Sequence, residues 1–334
     1  MFIARLRPAL LGSALLISLV ACGPAAAPSA SAPSPTPASS PAPASEAPAT
    51  SDAPAADATR LIRHAMGETR VPRNPQRVVV LDTGELDSVL ALGITPVGAV
   101  EALPGMGFQA YFGERTAGIT TVGTIAEPDL ETILRLKPDL IISNKVRHEA
   151  IYEQLAQIAP TVFAERVGVV WKDNFKLHAA ALGKSDVARQ IEARYQARVA
   201  QLRQQLGDPA AISVSVVRFL EGQVRQYQRG SFIGTLLDDV GVARPAAQQL
   251  SDKTWTEVNR ELIPQLDADV LFVTHYGPAD QTPKREFESD ALWAQLQVVQ
   301  RDRVYEVSDD HWMLGLGYLA AERVLDDLEQ YLLP

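Results

Sequence analysis

The chain has 334 residues, 46 % of them hydrophobic, with one cysteine and a formal net charge of −9. That acidic balance argues against nucleic acid as a partner. A single cysteine leaves no intrachain disulfide, so stability has to come from a buried core.

Residues 1–7 carry Arg5 and Arg7 and no acid, and 9–21 are almost all apolar. A basic segment followed by an apolar one of about 7–15 residues is a secretory signal, too short to span a bilayer. Leu19-Val20-Ala21-Cys22 resembles the lipobox of bacterial lipoproteins. That resemblance implies a diacylglyceryl thioether on Cys22, which becomes the new N-terminus, and assigns 1–22 to the signal peptide. Residues 23–59 are nearly all Pro, Ala and Ser, with no aromatic or large apolar side chain. Such a stretch buries too little to offset its chain entropy and reads as a disordered, semi-extended tether. It has no Lys or Arg before Arg60, so it is not expected to bind anionic head groups.

The remainder is long enough for two domains. Its first half alternates strand and helix: strand 78–81, helix near 85–92 ending at Gly93, strand 97–100, helix 130–136 stopped by Lys137-Pro138, strand 139–143, helix 148–158 and strand 161–164. Alternation of this kind predicts a parallel sheet covered on both faces. Residues 185–208 lack internal Gly and Pro, with Ser185 as candidate N-cap and Gly207 as stop, and read as one long helix. A second α/β series follows, with strands at 212–219 and near 270–274 and 303–307 and a closing helix near 318–333. The expected organisation is an N-terminal lobe 60–184, an interlobe helix 185–208 and a C-terminal lobe 209–334. The halves share a repeat: Glu131, Ile133, Leu136 and Asp139 precede one apolar strand as Glu261, Ile263, Leu266 and Asp269 precede another.

The runs PQRVVVLDTGELDSVLALGITPVGAV, VGTIAEPDLETILRLKPDLIIS and RGSFIGTLLDDVGVARP resemble the ferric-siderophore-binding lipoproteins of ABC importers, relatives of ferric-hydroxamate- and cobalamin-binding proteins. The resemblance spans 60–334. It implies an α/β fold of two Rossmann-like lobes with parallel-rich sheets, joined by one long helix, with ligand in the cleft between them. It implies no catalysis and no cofactor: a lipid-anchored monomer on the outer face of the cell membrane passes a ferric siderophore to a permease and its ATPase.

Family arginines following these strands contact ligand carboxylates, and the resemblance carries that role to Arg147 and Arg218, with Lys145 and Arg225 beside them. Arg218 lies within a strand, where a charge is costly unless paired, so a salt bridge is the alternative. Trp255 and Trp312 match positions of ligand-facing tryptophans, and Trp171 and Tyr276 are further aromatic candidates. Core packing is the plain alternative for the tryptophans. Arg285 is a candidate to close over the chelate from a loop, or else is simply solvated. Hydroxamate binders carry an arginine where this chain has Ile125, which leaves a citrate or carboxylate chelate ahead. The resemblance also assigns Glu131 and Glu261 to docking on the permease. As ordinary first-turn acids they would favour the helix dipole instead.

Other readings have less support. Haem, cobalamin or a bare Zn or Mn ion are alternative ligands of the same transport class, the last through His275 and His311 with Asp309 and Asp310. An exported Rossmann enzyme lacks its expected signature, because LDTGELDS offers one glycine and no GxGxxG. No GxSxG, HExxH or CxxC occurs either.

Overall fold

The computed structural model describes residues 58–333. The expected signal peptide, the lipidation site Cys22 and the tether through residue 57 lie outside the described residues. The described chain opens with an antiparallel hairpin, β1 (Thr59–His64) and β2 (Gly67–Pro72), turned at Gly67 with φ +119°. The hairpin seals one side of the first lobe: Ile62 and Val71 are buried, and Ala65 N donates to Phe163 O at 2.9 Å.

The N-terminal lobe follows as β3 (Val78–Val80), α1 (Thr83–Ala91), β4 (Gly98–Glu101), β5 (Thr120–Thr124), α2 (Leu130–Arg135), β6 (Leu140–Asn144), α3 (Lys145–His148), α4 (Tyr152–Ile158) and β7 (Thr161–Ala164). Its strands are all parallel, in the order β5-β4-β3-β6-β7. Every residue of β3, β6 and β7 is buried, as expected where helices cover both faces. The strand order reverses at β3, which opens a crevice at the carboxyl ends of β3 and β6. The helix expected at 148–158 divides between α3 and α4. His148 makes the break: its ring bonds Ser143 Oγ at 2.7 Å and Ile125 O at 2.7 Å, pinning the chain to the sheet.

Two helices lead to the second lobe. α5 (Trp171–Leu182) ends at Gly183 in the left-handed region, and α6 (Ser185–Leu206) runs 22 residues, about 33 Å at 1.5 Å per residue. Ser185 is the first helical residue rather than the N-cap. Lys184 takes that place without a side-chain hydrogen bond, because Gly183 leaves no spacer between the helices. Ala188, Ile191, Tyr195, Val199 and Leu202 form the buried stripe of α6, spaced three or four apart.

The C-terminal lobe contains β8 (Val214–Leu220), β9 (Gln223–Tyr227), α7 (Phe232–Val240), β10 (Trp255–Glu257), β11 (Val270–His275), the short helices α8 (Lys284–Glu288), α9 (Ala291–Ala294) and α10 (Gln297–Gln300), β12 (Val304–Glu306) and α11 (Tyr318–Leu332). Its sheet order is β10-β9-β8-β11-β12, with β8, β11 and β12 parallel and β9 and β10 antiparallel. The repeat helix at Arg260–Leu266 is a 3-10 turn carrying Pro264, which cannot donate to an α-helical ladder.

The closing helix α11 returns to the first lobe. Asp87 of α1 accepts from Leu319 N at 3.0 Å and Ala320 N at 2.9 Å, so it caps α11 from 232 and 233 residues away. A side chain at Gly317 would place its Cβ 2.2 Å from Asp87 Oδ1, so only glycine permits this approach. Around this junction Trp171, Phe175, Tyr195, Phe232 and Tyr318 pack edge to face at 4.7–5.8 Å. Lys172 and the Tyr195 hydroxyl both meet Asp239 of α7, joining the two lobes.

Candidate ligand-binding cleft

A cavity of about 1020 Å³ opens between the lobes, large enough for a metal chelate. The loop after β4 supplies Leu103, Pro104 and Met106 from one lobe, and residues 275–278 and 306–310 face them from the other. Met106 is 51 % exposed and forms an apolar lip of this cavity.

Arg218 stands near the carboxyl end of β8, with its side chain 8 % exposed. Its guanidinium pairs two-pronged with Asp309: Nε donates to Oδ1 at 2.7 Å and Nη2 meets Oδ2. Thr274 donates to the same carboxylate at 3.0 Å. Burial pulls the Arg218 pKa down, but Tyr227 and Asp309 raise it overall, and the cation is secure. One face of the guanidinium lies 4.6 Å from the centre of the Tyr276 ring, and Tyr276 lines the cavity. Arg225 is the direct partner of Arg218 in the β8–β9 ladder, so both project from one face. It stacks on Trp255 at 4.0 Å and donates to Gln223 Oε1 at 2.7 Å. Tyr276, Arg218, Arg225 and Trp255 thus form a row in which two neighbouring guanidinium groups are each flanked by an aromatic ring.

The first lobe contributes Arg147 from α3. Asn144, last residue of β6, caps that helix by accepting from Arg147 N at 3.1 Å. The Arg147 side chain is 46 % exposed, and its Nε lies 3.3 Å from Asp82 Oδ2. Burial raises the Tyr276 pKa, and Arg218 against its ring offsets this only in part. Lys145 sits beside Arg147 and meets Glu165 at 3.6 Å and Glu149 at 3.9 Å.

Three expected ligand contacts fall elsewhere. Trp171 is 1 % exposed in the interlobe aromatic cluster, with Nε1 donating to Thr235 Oγ1 at 2.9 Å. Trp312 is fully buried against Phe272, with Nε1 donating to Asp327 at 2.7 Å. Both indoles are core because their apolar area and their N–H are satisfied inside. Arg285 is exposed on α8; of the expected ligand contacts only Tyr276 lines the cavity itself, with Arg218 stacked behind it and Arg225, Trp255, Arg147 and Lys145 outside its lining. Met106 is a cavity group that sequence reasoning did not name, and Asp309, named there only as a bare-metal ligand, instead pairs with Arg218. Tyr227, buried behind them, accepts from Arg218 Nη1 at 3.4 Å. His275 meets Glu306 at 3.0 Å and His311 meets Asp327 at 2.8 Å, two separate pairs. Among the described residues no three His, Cys, Asp or Glu side chains converge as a metal site. Glu131 and Glu261 are both exposed, each two residues after a side-chain N-cap, Asp129 or Asn259.

Two α/β lobes, a helical spine and a cation–aromatic cleft define a solute-binding protein. The chain belongs to the periplasmic binding protein family, whose sequence model matches residues 78–310. It is 43 % identical over 287 residues to a probable siderophore-binding lipoprotein of Bacillus subtilis, YfiY, covering 82 % of this chain and 88 % of that one. It is 32 % identical over 275 residues to the Fe(3+)-citrate-binding protein YfmC of the same organism, covering 81 % and 85 %. Among solved structures, Staphylococcus aureus SirA complexed with staphyloferrin B superposes with a TM-score of 0.75 at 33 % identity, covering 82 % of this chain and 98 % of SirA. The protein is a binder, not an enzyme. Among the described residues no helix is long and apolar enough to cross a membrane.

Proposed function

We propose that this protein captures an anionic ferric chelate of the citrate or carboxylate type and delivers it to the permease and ATPase of an ABC importer. The observation that carries this reading is the Arg218 guanidinium held 4.6 Å from the centre of the Tyr276 ring at the cavity wall, with Arg147 half exposed on the other lobe. Guanidinium groups recognise carboxylates through paired N–H donors, and a ring stacked on one face fixes their direction. Arg225, Trp255 and Lys145 extend the cationic side, while Leu103 and Met106 offer apolar cover for the chelate's hydrocarbon. The iron travels as cargo inside the chelate, and no resident cofactor is called for. The names of YfmC and of the staphyloferrin B complex of SirA support this ligand class.

Lipid on Cys22 and the Pro/Ala/Ser tether hold the lobes outside the membrane, and Glu131 and Glu261 meet the permease. Cys22→Ala protein should remain unprocessed or be shed, whereas full partition of processed protein with membranes would refute the anchor. Mass spectrometry of ligand co-purified from the native host tests the main reading. A ferric citrate or citrate-hydroxamate mass is expected, and haem, cobalamin or a bare divalent ion would overturn it.

A further inference from the structure

Arg147 stands on a buried pair of acids that the cleft does not use directly. Asp82 ends the β3 segment as N-cap of α1, and Asn144 ends β6, so both occupy the point where the strand order reverses. The Asn144 amide donates to Asp82 Oδ2 and to Glu85 Oε1, each at 3.0 Å. Asp82 also accepts from Thr83 N at 2.7 Å. Asp82 and Glu85 are each 1 % exposed, and Glu85 Oε2 has no hydrogen-bond partner among the described residues.

Two carboxyl groups therefore share one amide and face one cation in a dry site. Like charges this close do not both ionise, and the group with an unmet oxygen is the one that keeps its proton. Burial, and then Asp82, push Glu85 up to about 8 against the pull of Asn144 and Arg147. Those three are the polar and charged groups that face it, from the α1 cap, β6 and α3, and His148 of α3 feels both Asp82 and Arg147. Arg147 uses only Nε toward Asp82, and its terminal fork makes no hydrogen bond among the described residues.

We propose that Glu85 is a positioning residue for Arg147: protonated, it lets Asp82 hold the guanidinium by Nε with its fork free, and ionised, it draws that cation away from an incoming anion. The inference rests on the reading of Arg147 as a ligand contact. Below pH ~8 a single buried charge balances Arg147, and an anionic chelate finds the fork open. Above it a second buried charge competes, and binding weakens.

The test begins without ligand, on the full chain. The 15N resonance of Arg147 Nε, assigned by its loss in Arg147→Lys, is followed from pH 6 to 9.5. It should move with a midpoint near 8 in the wild type and stay still in Glu85→Gln. An unmoving wild-type resonance, or the same titration in Glu85→Gln, would overturn the proposal. The second arm uses ferric citrate as probe and compares the affinities of Glu85→Gln and wild type at each pH, so that probe speciation cancels. The ratio should climb from near one where both side chains are neutral to on the order of tenfold at the alkaline end, and a flat ratio counts against it. Failure of ferric citrate to bind the wild type at any pH would sink the carboxylate-chelate reading, while the ligand-free resonance still decides the role of Glu85.

Discussion

Asp139 and Asp269 make the same contact in the two lobes. Asp139 accepts from Gln76 N at 2.7 Å and Arg77 N at 2.9 Å, just ahead of β3. Asp269 accepts from Ser213 N at 2.8 Å and Ser213 Oγ at 2.7 Å, just ahead of β8. Each carboxylate ties the foot of its own strand, β6 or β11, to the foot of the parallel neighbour, at the end of the sheet away from the cleft. The Ser213 backbone and hydroxyl hold Asp269 below the usual carboxylate range. Asp139→Ala and Asp269→Ala should each cost about 1–3 kcal/mol, and the double change close to the sum, because the sites lie in separate lobes. Urea unfolding reads this. No loss in either single variant would show the clasp to be incidental.

Two tryptophans should part company. Trp171→Ala removes a fully packed indole at the interlobe junction and should cost about 3–5 kcal/mol. Trp255→Ala, at a sheet edge beside Arg225, should cost little stability but weaken ferric citrate several-fold, since its cation–π contact is worth about 0.5–2 kcal/mol. Thermal melts and titrations of the pair check it. Equal effects on stability would contradict the placement.

His178 is buried in α5 with neither ring nitrogen hydrogen-bonded among the described residues, and burial pushes its pKa down to about 3. The unfolded chain therefore takes up a proton near pH 6.5 that the folded chain refuses, so stability falls as pH drops from about 6.5 toward 3. His178→Phe should flatten that part of the pH–stability curve. An unchanged slope would place the acid sensitivity elsewhere.

Glu131 and Glu261 can be separated from the cleft by function. The double change to Ala should abolish iron uptake in cells, while ferric citrate affinity in solution stays within about twofold, since the changes touch a partner surface. Normal uptake would leave both residues as dipole-stabilising acids. Parallel loss of affinity and uptake would put them on the wrong face.

Periodicity made the parallel core legible: the short apolar runs 78–80, 140–142 and 162–164 mark β3, β6 and β7, and α6 shows its buried stripe without Gly or Pro. Spacing alone revealed the repeat, and the Asp139 and Asp269 contacts give it a physical basis. The edge of the second sheet was harder, because β10 is three residues long and half-buried, with its register set by β9. Trp171 and Trp312 could not be sorted from Trp255 by sequence, since loop or helix-start positions say nothing about which side a ring faces. The ion pair of Arg218 with Asp309 was also hidden. A charge within an apolar strand announces that it needs a partner, but 91 residues separate it from the one it finds.

Arg147 is the cleanest single probe of the cleft. Arg218→Ala would strand Asp309 as a buried unpaired charge, a loss of about 3–5 kcal/mol that blurs binding with folding. Arg147 is half exposed, and although its removal takes the cation from buried Asp82, that carboxylate keeps donors from Asn144 and Thr83 N. Isothermal titration of ferric citrate into the wild type and into Arg147→Ala is the most direct measurement. A charge-assisted hydrogen bond to a carboxylate contributes about 1.5–3 kcal/mol, so affinity should fall on the order of 10- to 100-fold, with any lowering of the melting temperature read separately because Asp82 loses its cation. Equal affinities in the two proteins would contradict a cleft that grips its chelate through the arginines of both lobes.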